Sequence, residues 1–520
     1  MVHNLQMFRK TTPFLPGIIL FILALITGII VFRDYGIAWD ESMQHHTGEV
    51  SLDYMLHGDQ GLFTYRDRHY GVGFELPLII LEKVFRIKDA GHIYLMRHLV
   101  SHIFFLLSAF CCYLVALRLY KNQFIACLGF MMYAFAPRIY AHSFFNSKDV
   151  PYLGMFMITF AISQVAFEKN KKWLYVLLGL ACGYTTSLRI MGVILDGFIL
   201  FFLSADMITA YLKKEKIKPA VVNLLLFGAS FFVMLYACWP YLWTNPIHNF
   251  IISYQRMSHF DWPFSVLLGG KQVSGTALPW SYFPIWFLIT NPVLWLLAGF
   301  AGIIRAVLNF FKKPLVYLTN TPERNYLLYL LSFGVPILAV IFLHAVIYDD
   351  WRHLYFVYAP FVMLALYCIN WLMHTRVKLL VQAVCILQLV FTGYFMVRNH
   401  PFEQVYFNEL VSHDKESLRK NYELDYWGCS YKQALDHLVK EHPEGPIKIS
   451  SYAEGEYLAR FNSQLLSEKD RNRIEILPAD SADYFITNYR WHPADYPYAH
   501  IDYSISVLNS TILCVYKTHD

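Results

Sequence analysis

Two sets of side chains in this sequence have the chemistry to move a charged group. Asp40 and Glu41 stand together in "AWDES" and Asp149 stands in "NSKDVPYLGMF", each near the edge of a long apolar run. A carboxylate at such a water boundary is partly desolvated, which raises its basicity and suits it to take a proton from an acceptor hydroxyl. The second set is cationic: Arg189 in "GLACGYTTSLRIMGV", and Arg352 with His353 in "YDDWRHLYFVYAPF". A planar guanidinium donates two parallel hydrogen bonds to one anion and so fits a phosphate.

Each residue also has a plainer reading. Asp149 followed by Pro151 has the pattern of a helix N-cap, a local role worth about 1 kcal/mol. Asp40 and Glu41 fit an ordinary solvated loop, Arg189 fits snorkelling to headgroups, and Arg352 fits a salt bridge with Asp349 or Asp350. Burying an arginine at membrane depth costs about 2.5 to 3.5 kcal/mol on insertion scales, so Arg189 calls for an anionic partner. Acids and phosphate-ready cations together point to group transfer from a lipid phosphate. The chain has no P-loop, GxGxxG, GxSxG or HExxH, which removes nucleotide-driven chemistry, elbow-serine hydrolysis and zinc hydrolysis.

The elements that must position these groups are membrane helices. Of 520 residues, 56% are hydrophobic and 16% charged, against about 25% charged in soluble proteins. Apolar segments lie at 14–32, 97–117, 122–140, 151–167, 173–188, 191–212, 219–240, 284–304, 326–347, 354–372 and 377–397, which predicts an all-α polytopic bundle of about eleven spans. The first follows a short basic start, Arg9 and Lys10, with no small-residue cleavage pattern after it, and reads as a retained helix. Short loops carrying Arg118 and Lys121, Lys169 to Lys172, Lys213 to Lys218, Lys312 and Lys313, and Arg376 and Lys378 are cytoplasmic by the positive-inside rule. Both sets of candidate residues then share the opposite, extracytoplasmic face.

Two long outer segments have structure of their own. "FELPLIILEKVFRI" has the spacing of an interfacial helix, and residues 241–283 form an aromatic, ordered loop at headgroup level. The chain divides into a membrane domain, 1–397, and an extracytoplasmic α/β domain, 398–520. In the latter "KQALDHLVKEH" reads as a helix, and "PIKISSY", "ADYFITNY" and "YSISVLNSTILCVYK" as strands. The net charge of +5 is spread over loops, so nucleic acid is not an expected partner. Cysteines show no metal spacing; Cys429 and Cys514, alone in polar sequence, leave a disulfide open.

With these residues in place, the chain resembles the GT-C fold glycosyltransferases, specifically the bacterial side of the protein O-mannosyltransferase and aminoarabinose-transferase superfamily (glycosyltransferase family 39/83-like). "AWDES" resembles that family's first-loop acidic motif, "SKDVP" its second-loop Asp before proline, and "GLACGYTTSLR" a stretch whose basic residue meets the carrier phosphate. "DDWRHLYFVYAPF" resembles the Arg-containing start of a late helix, and "HPFEQVYFNEL…DYWGCSYKQAL" a C-terminal extension of some bacterial members. Arg189 stands where many relatives have lysine, and "HYGVGFELP" matches only loosely.

The resemblance implies inverting transfer of one hexosyl or pentosyl unit from a polyprenyl-phosphate donor to a hydroxyl or phosphate of a protein, lipid or glycan acceptor, at the periplasmic face of a bacterial inner membrane. It implies catalytic roles for Asp40, as the general base or the group that orients the nucleophile, and for Glu41 and Asp149, which would hold the acceptor or shape the pocket, with phosphate binding by Arg189, Arg352 and His353. Trp39, His69 and Lys148 are expected to line the substrate pocket. No cofactor is called for, although a divalent ion between Asp40 and Asp149 is compatible with the carboxylates. The competing readings are a polyprenyl-lipid flippase or transporter, which would place charges along a path through the bilayer, and a non-catalytic scaffold, which leaves Arg189 and the acidic pair without a role.

Overall fold

The structure, a computed structural model, describes residues 13–258 and 262–519. The basic start at Arg9 and Lys10 lies outside the described residues, as do positions 259–261 of the aromatic stretch.

The chain is an integral membrane protein built as a helical bundle with a small α/β domain at its C-terminus. The bundle helices are α1 (Leu15–Val31), α4 (Ala90–Tyr120), α5 (Gln123–Ala134), α6 (Pro137–Phe145), α7 (Asp149–Lys169), α8 (Lys172–Leu188), α9 (Val193–Leu212), α10 (Lys218–Cys238), α12 (Tyr282–Ile289), α13 (Val293–Lys312), α14 (Thr321–Phe342), α15 (Tyr358–Leu372) and α16 (Lys378–Asn399). Outside it run α2 (Glu41–His57), α3 (Glu75–Phe85) and α11 (Pro246–Ser258). Among the described residues eight helices are long and apolar enough to cross a membrane, or nine if α5 and α6, bent by 59°, form one span. α1, of 17 residues, is a shorter apolar helix.

All eleven apolar segments fold as helix, with two breaks that proline explains. The run at 122–140 bends ahead of Pro137, and the run at 284–304 splits into α12 and α13 ahead of Pro292, because proline disfavours helical geometry in the residue before it. The interfacial helix is α3, and the aromatic stretch folds into α11 and a hairpin of β1 (Ser265–Leu268) and β2 (Lys271–Ser274).

Hydrogen bonds identify the two ends of the bundle. At one end Arg118 donates to Glu168 at 2.6 Å and Arg324 to Asp206 at 3.0 Å, among the basic loops. The candidate residues and the α/β domain occupy the other. That domain is a five-stranded sheet in the order β4 (Ile474–Ile476), β3 (Ile447–Ser450), β5 (Tyr484–Thr487), β7 (Ser510–Lys517), β6 (His500–Val507). β3 pairs in parallel with β4 and β5, and β7 antiparallel with β5 and β6. α17 (Tyr431–Glu441) and α18 (Ala453–Asn462) pack on it through Leu435, Leu438 and Leu458 against Ile449, Ile486 and Val515. β4 and α18 went unread in the sequence; Cys429 and Cys514 are free, buried thiols.

"GLACG" takes on a packing role in the fold. Gly179 and Gly183 lie one helical turn apart on α8, where a β-carbon would run into the Phe227 and Phe231 carbonyls of α10. Small residues at this spacing let two membrane helices approach backbone to backbone, and α8 ends at Leu188, immediately before Arg189, whose guanidinium enters the site. Gly183→Val is expected to cost about 1 to 3 kcal/mol by overpacking, read as a lower unfolding midpoint in detergent. An unchanged midpoint would show that α8 and α10 do not meet here.

Candidate active site

Four distant segments converge at one end of the bundle. Asp40 sits at the N-terminal end of α2, Asp149 is the first residue of α7, Arg189 follows α8, and Arg352 opens a 3-10 turn, Arg352–Val357, that leads into α15. Arg352 joins them. Its Nη1 lies 3.3 Å from Asp40 Oδ2 and 3.4 Å from Asp149 Oδ2, and its Nη2 donates to Asp349 Oδ2 at 3.1 Å. Arg189 pairs with the other oxygen of Asp149. The Arg352 guanidinium also lies 4.6 Å from the Trp427 ring centroid and 5.0 Å from that of Tyr348.

The plain reading of Asp149 as a helix cap is overturned. Asn146 does that work, its Oδ1 accepting from the Asp149 N–H at 2.8 Å, while its amide donates to Asp149 Oδ2 at 3.0 Å. Asp149 is thus a buried carboxylate aimed at two arginines. The salt bridge of Arg352 with Asp349 exists, but as one of three.

These groups surround a cavity of about 370 Å³. Trp39, Asp40, His69, Lys148, Arg189, Arg352 and His353 all lie on its wall. Asp149 stands behind the wall, reaching it only through its arginine partners. Glu41 is not brought to the site: it is buried, accepts from the Ala38 N–H at 2.8 Å, and lies 3.0 Å from His98 Nε2. Its placement beside Asp40 in sequence does not carry over, because neighbouring helical residues project about 100° apart. Around Arg352 the side-chain exposure is 29% for Asp40, 2% for Asp149 and 6% for Asp349, so Asp40 is the carboxylate best able to meet an incoming hydroxyl.

Lys148 and His69 on the wall have shifted acid–base behaviour. The Lys148 ammonium rests 3.3 Å from the Tyr70 ring centroid, and burial together with Arg189 lowers its pKa to about 7, against the pull of Asp149 and Asp40. Burial, with Arg68 and Arg256 nearby, lowers His69 to about 4, which keeps its imidazole neutral at physiological pH. His353 meets Tyr348 edge-on at 4.6 Å, and its buried Nδ1 has no hydrogen-bond partner among the described residues.

A divalent ion between Asp40 and Asp149 does not fit the donor set. The Arg352 guanidinium occupies the space between their facing oxygens and already neutralises them. Elsewhere, His45, Glu49 and Glu82 bring ligand-type atoms within 4.8 Å, but the imidazole faces Glu82 with Nε2 and Glu49 with Nδ1, the arrangement of a ring held between two carboxylates.

Sequence reasoning missed part of the wall. Trp262 stacks on Tyr348 at 4.3 Å and 1°, a flat aromatic face of the kind that receives apolar ring surfaces. Arg490 of the α/β domain reaches the cavity and donates to Asp349 Oδ1 at 2.9 Å. No spacing signal links residue 490 to residue 349. The same domain also holds the stretch before Asp40: Asn462 bonds the Ile37 N–H at 2.9 Å and carbonyl at 3.1 Å, and the Trp427 carbonyl accepts from the Trp39 N–H at 3.0 Å.

No family model and no curated protein matches this chain. Among solved structures it is similar to ArnT from Cupriavidus metallidurans bound to undecaprenyl phosphate, at 11% identity over 96% of this chain and 97% of that one, with a TM-score of 0.48. It is also similar to the Archaeoglobus fulgidus oligosaccharyltransferase in the apo form, at 10% identity over 93% and 70% of the two chains, with a TM-score of 0.47. A third likeness is to AglB from the same organism, in complex with an inhibitory peptide and a dolichol-phosphate, at 12% identity over 81% and 62%, with a TM-score of 0.41.

Proposed function

We propose that this protein is an inverting glycosyltransferase that moves one sugar from a polyprenyl-phosphate carrier to an acceptor hydroxyl on the extracytoplasmic face of a bacterial inner membrane. Residues 1–397 form the membrane domain and 398–520 the extracytoplasmic one. The observation that carries the reading is the cavity in which Asp40 stands open beside Arg352, Arg189 and Lys148. An attacking acceptor oxygen bonds to the anomeric carbon, the carbon–oxygen bond to the carrier phosphate breaks with its electron pair leaving on the phosphate, and the hydroxyl proton passes to Asp40. The cations stabilise the charge that grows on the departing phosphate, which is where preorganised charge acts most strongly. Asp149 holds Arg189 and Arg352 in place. The clustering of charge at one face supports an enzyme over a transporter, whose charges would follow a path through the bilayer.

The test is direct. Purified protein in nanodiscs is mixed with undecaprenyl-phosphate hexoses and pentoses together with envelope lipids, glycans and proteins, and release of undecaprenyl phosphate is followed. Turnover with at least one donor is expected; no turnover and no binding of undecaprenyl phosphate would overturn the reading.

Lys148 supplies a second test. With a pKa near 7 its ammonium is present below neutrality and lost above it. Affinity for undecaprenyl phosphate is therefore expected to weaken as pH rises from about 7 to about 9, by up to about tenfold per unit. Lys148→Met is expected to bind weakly with only the ligand's own titration remaining. Identical pH profiles for the two proteins would remove Lys148 from the phosphate site.

A further inference from the structure

We infer that Arg490 is a positioning residue of the transfer site, supplied by the C-terminal domain: it holds Asp349 so that Arg352 keeps its place between Asp40 and Asp149. The inference rests on the transfer function proposed above.

Asp349 gives one oxygen to each arginine. Its Oδ1 accepts from Arg490 Nη2 at 2.9 Å and its Oδ2 from Arg352 Nη2 at 3.1 Å. The rest of Arg490 is anchored within its own domain, with Nη1 on the Tyr426 carbonyl and the guanidinium 4.6 Å from the Trp491 ring centroid. Trp491 stacks in turn on Phe264 of the β1–β2 segment at 5.2 Å. A second carboxyl, Glu423, lies buried near Arg490. Burial raises it toward the neutral form, which leaves Asp349 as the anion that fixes the guanidinium.

The backbone on both sides of this contact is unusual. Asp349 and Asp350 have φ of 55° and 62°, and Tyr489 and Trp491, which flank Arg490, both have φ of 60°. Side chains with a β-carbon rarely adopt this region, and aromatic residues far less often than aspartate. Such conformations persist where surrounding contacts over-determine them, and they gather at working sites. Here four of them frame one ion pair that joins two domains across the cavity wall.

Without Arg490, the buried charge of Asp349 would rest on Arg352 alone. The Arg352 fork would shift toward Asp349 and away from Asp40, while Asp149 would keep Arg189. Donor binding would then persist through Lys148 and Arg189, but the guanidinium that meets the leaving phosphate would be misplaced.

The experiment uses the full-length protein in nanodiscs, with transfer from an undecaprenyl-phosphate sugar and binding of undecaprenyl phosphate measured for wild type, R490Q, R490K, D349N and R490Q/D349N. R490Q is expected to lower kcat about 10- to 100-fold with the donor KM within about twofold, and R490K to recover at least about a third of the loss on a logarithmic scale. The double variant is expected to be no worse than the poorer single one, because both changes break one linkage. Wild-type kcat in R490Q, or losses that multiply in the double variant, would overturn the inference. Should R490Q fail to fold, R490K with D349N gives the same cycle. A wild-type protein that neither binds nor transfers would instead overturn the proposed function.

Discussion

Sugar transfer by the Asp40→Asn protein is expected to fall about 100- to 10,000-fold, while the protein folds normally and binds undecaprenyl phosphate at least as tightly as wild type. Asparagine keeps the shape of the side chain and can still accept from Arg352, so the wall stays intact. What it loses is the ability to take the acceptor proton. Removing one negative charge from beside Arg352 also frees part of that cation for the donor phosphate, which is why binding is expected to hold or tighten. The measurement is initial rate and donor affinity on the same purified sample, with an unfolding midpoint as the folding control. Transfer at the normal rate would end the assignment of Asp40 as general base. Glu41→Gln is the informative contrast, because Glu41 is buried against His98 and the Ala38 N–H rather than facing the cavity. Its loss is expected to appear mainly as reduced stability.

Arg352→Gln is expected to cost both stability and turnover. The guanidinium is buried and shared by Asp40, Asp149 and Asp349, two of which are themselves buried. Removing one partner of a buried ion pair leaves an uncompensated charge, at about 3 to 5 kcal/mol, a large share of the roughly 5 to 15 kcal/mol that holds a typical fold together. Arg352→Lys separates the two effects. It keeps a positive charge and so most of the stability, but a point-like ammonium cannot bond three carboxylates in a fixed fork. We expect the lysine variant to unfold near the wild-type midpoint in detergent while transferring at least about tenfold more slowly. If the glutamine variant were as stable and as active as wild type, Arg352 would be neither the organiser of the site nor its phosphate ligand.

Much of the architecture was legible because hydropathy and turn chemistry act over short stretches of chain. Eleven apolar runs marked the thirteen bundle helices, and Pro137 and Pro292 stand at the breaks that divide two of the runs. "YSISVLNSTILCVYK" was legible as strand, and the structure folds it into the β6–β7 hairpin, with Leu508 and Asn509 both at positive φ in the turn, the geometry that two-residue hairpin loops favour. The helix α18, between β3 and β4, escaped because its apolar positions are few, and β4 because three residues carry almost no periodic signal.

By itself the sequence determined that this chain lives in a membrane, where its helices run, which end of them carries the basic loops, and which acids and cations stand near the other end. Those properties follow from the side chain at each position and its near neighbours. The tertiary structure alone decided which of those charges meet. It turned Asp40 toward the cavity and Glu41 away, moved Asp149 from a capping role to the support of two arginines, and filled with Arg352 the space that a metal ion would have needed. It also brought Arg490 from the far end of the chain to complete the wall. Ion pairing depends on distances between residues hundreds of positions apart, and only the packing of the helices and the seating of the α/β domain upon them set those distances.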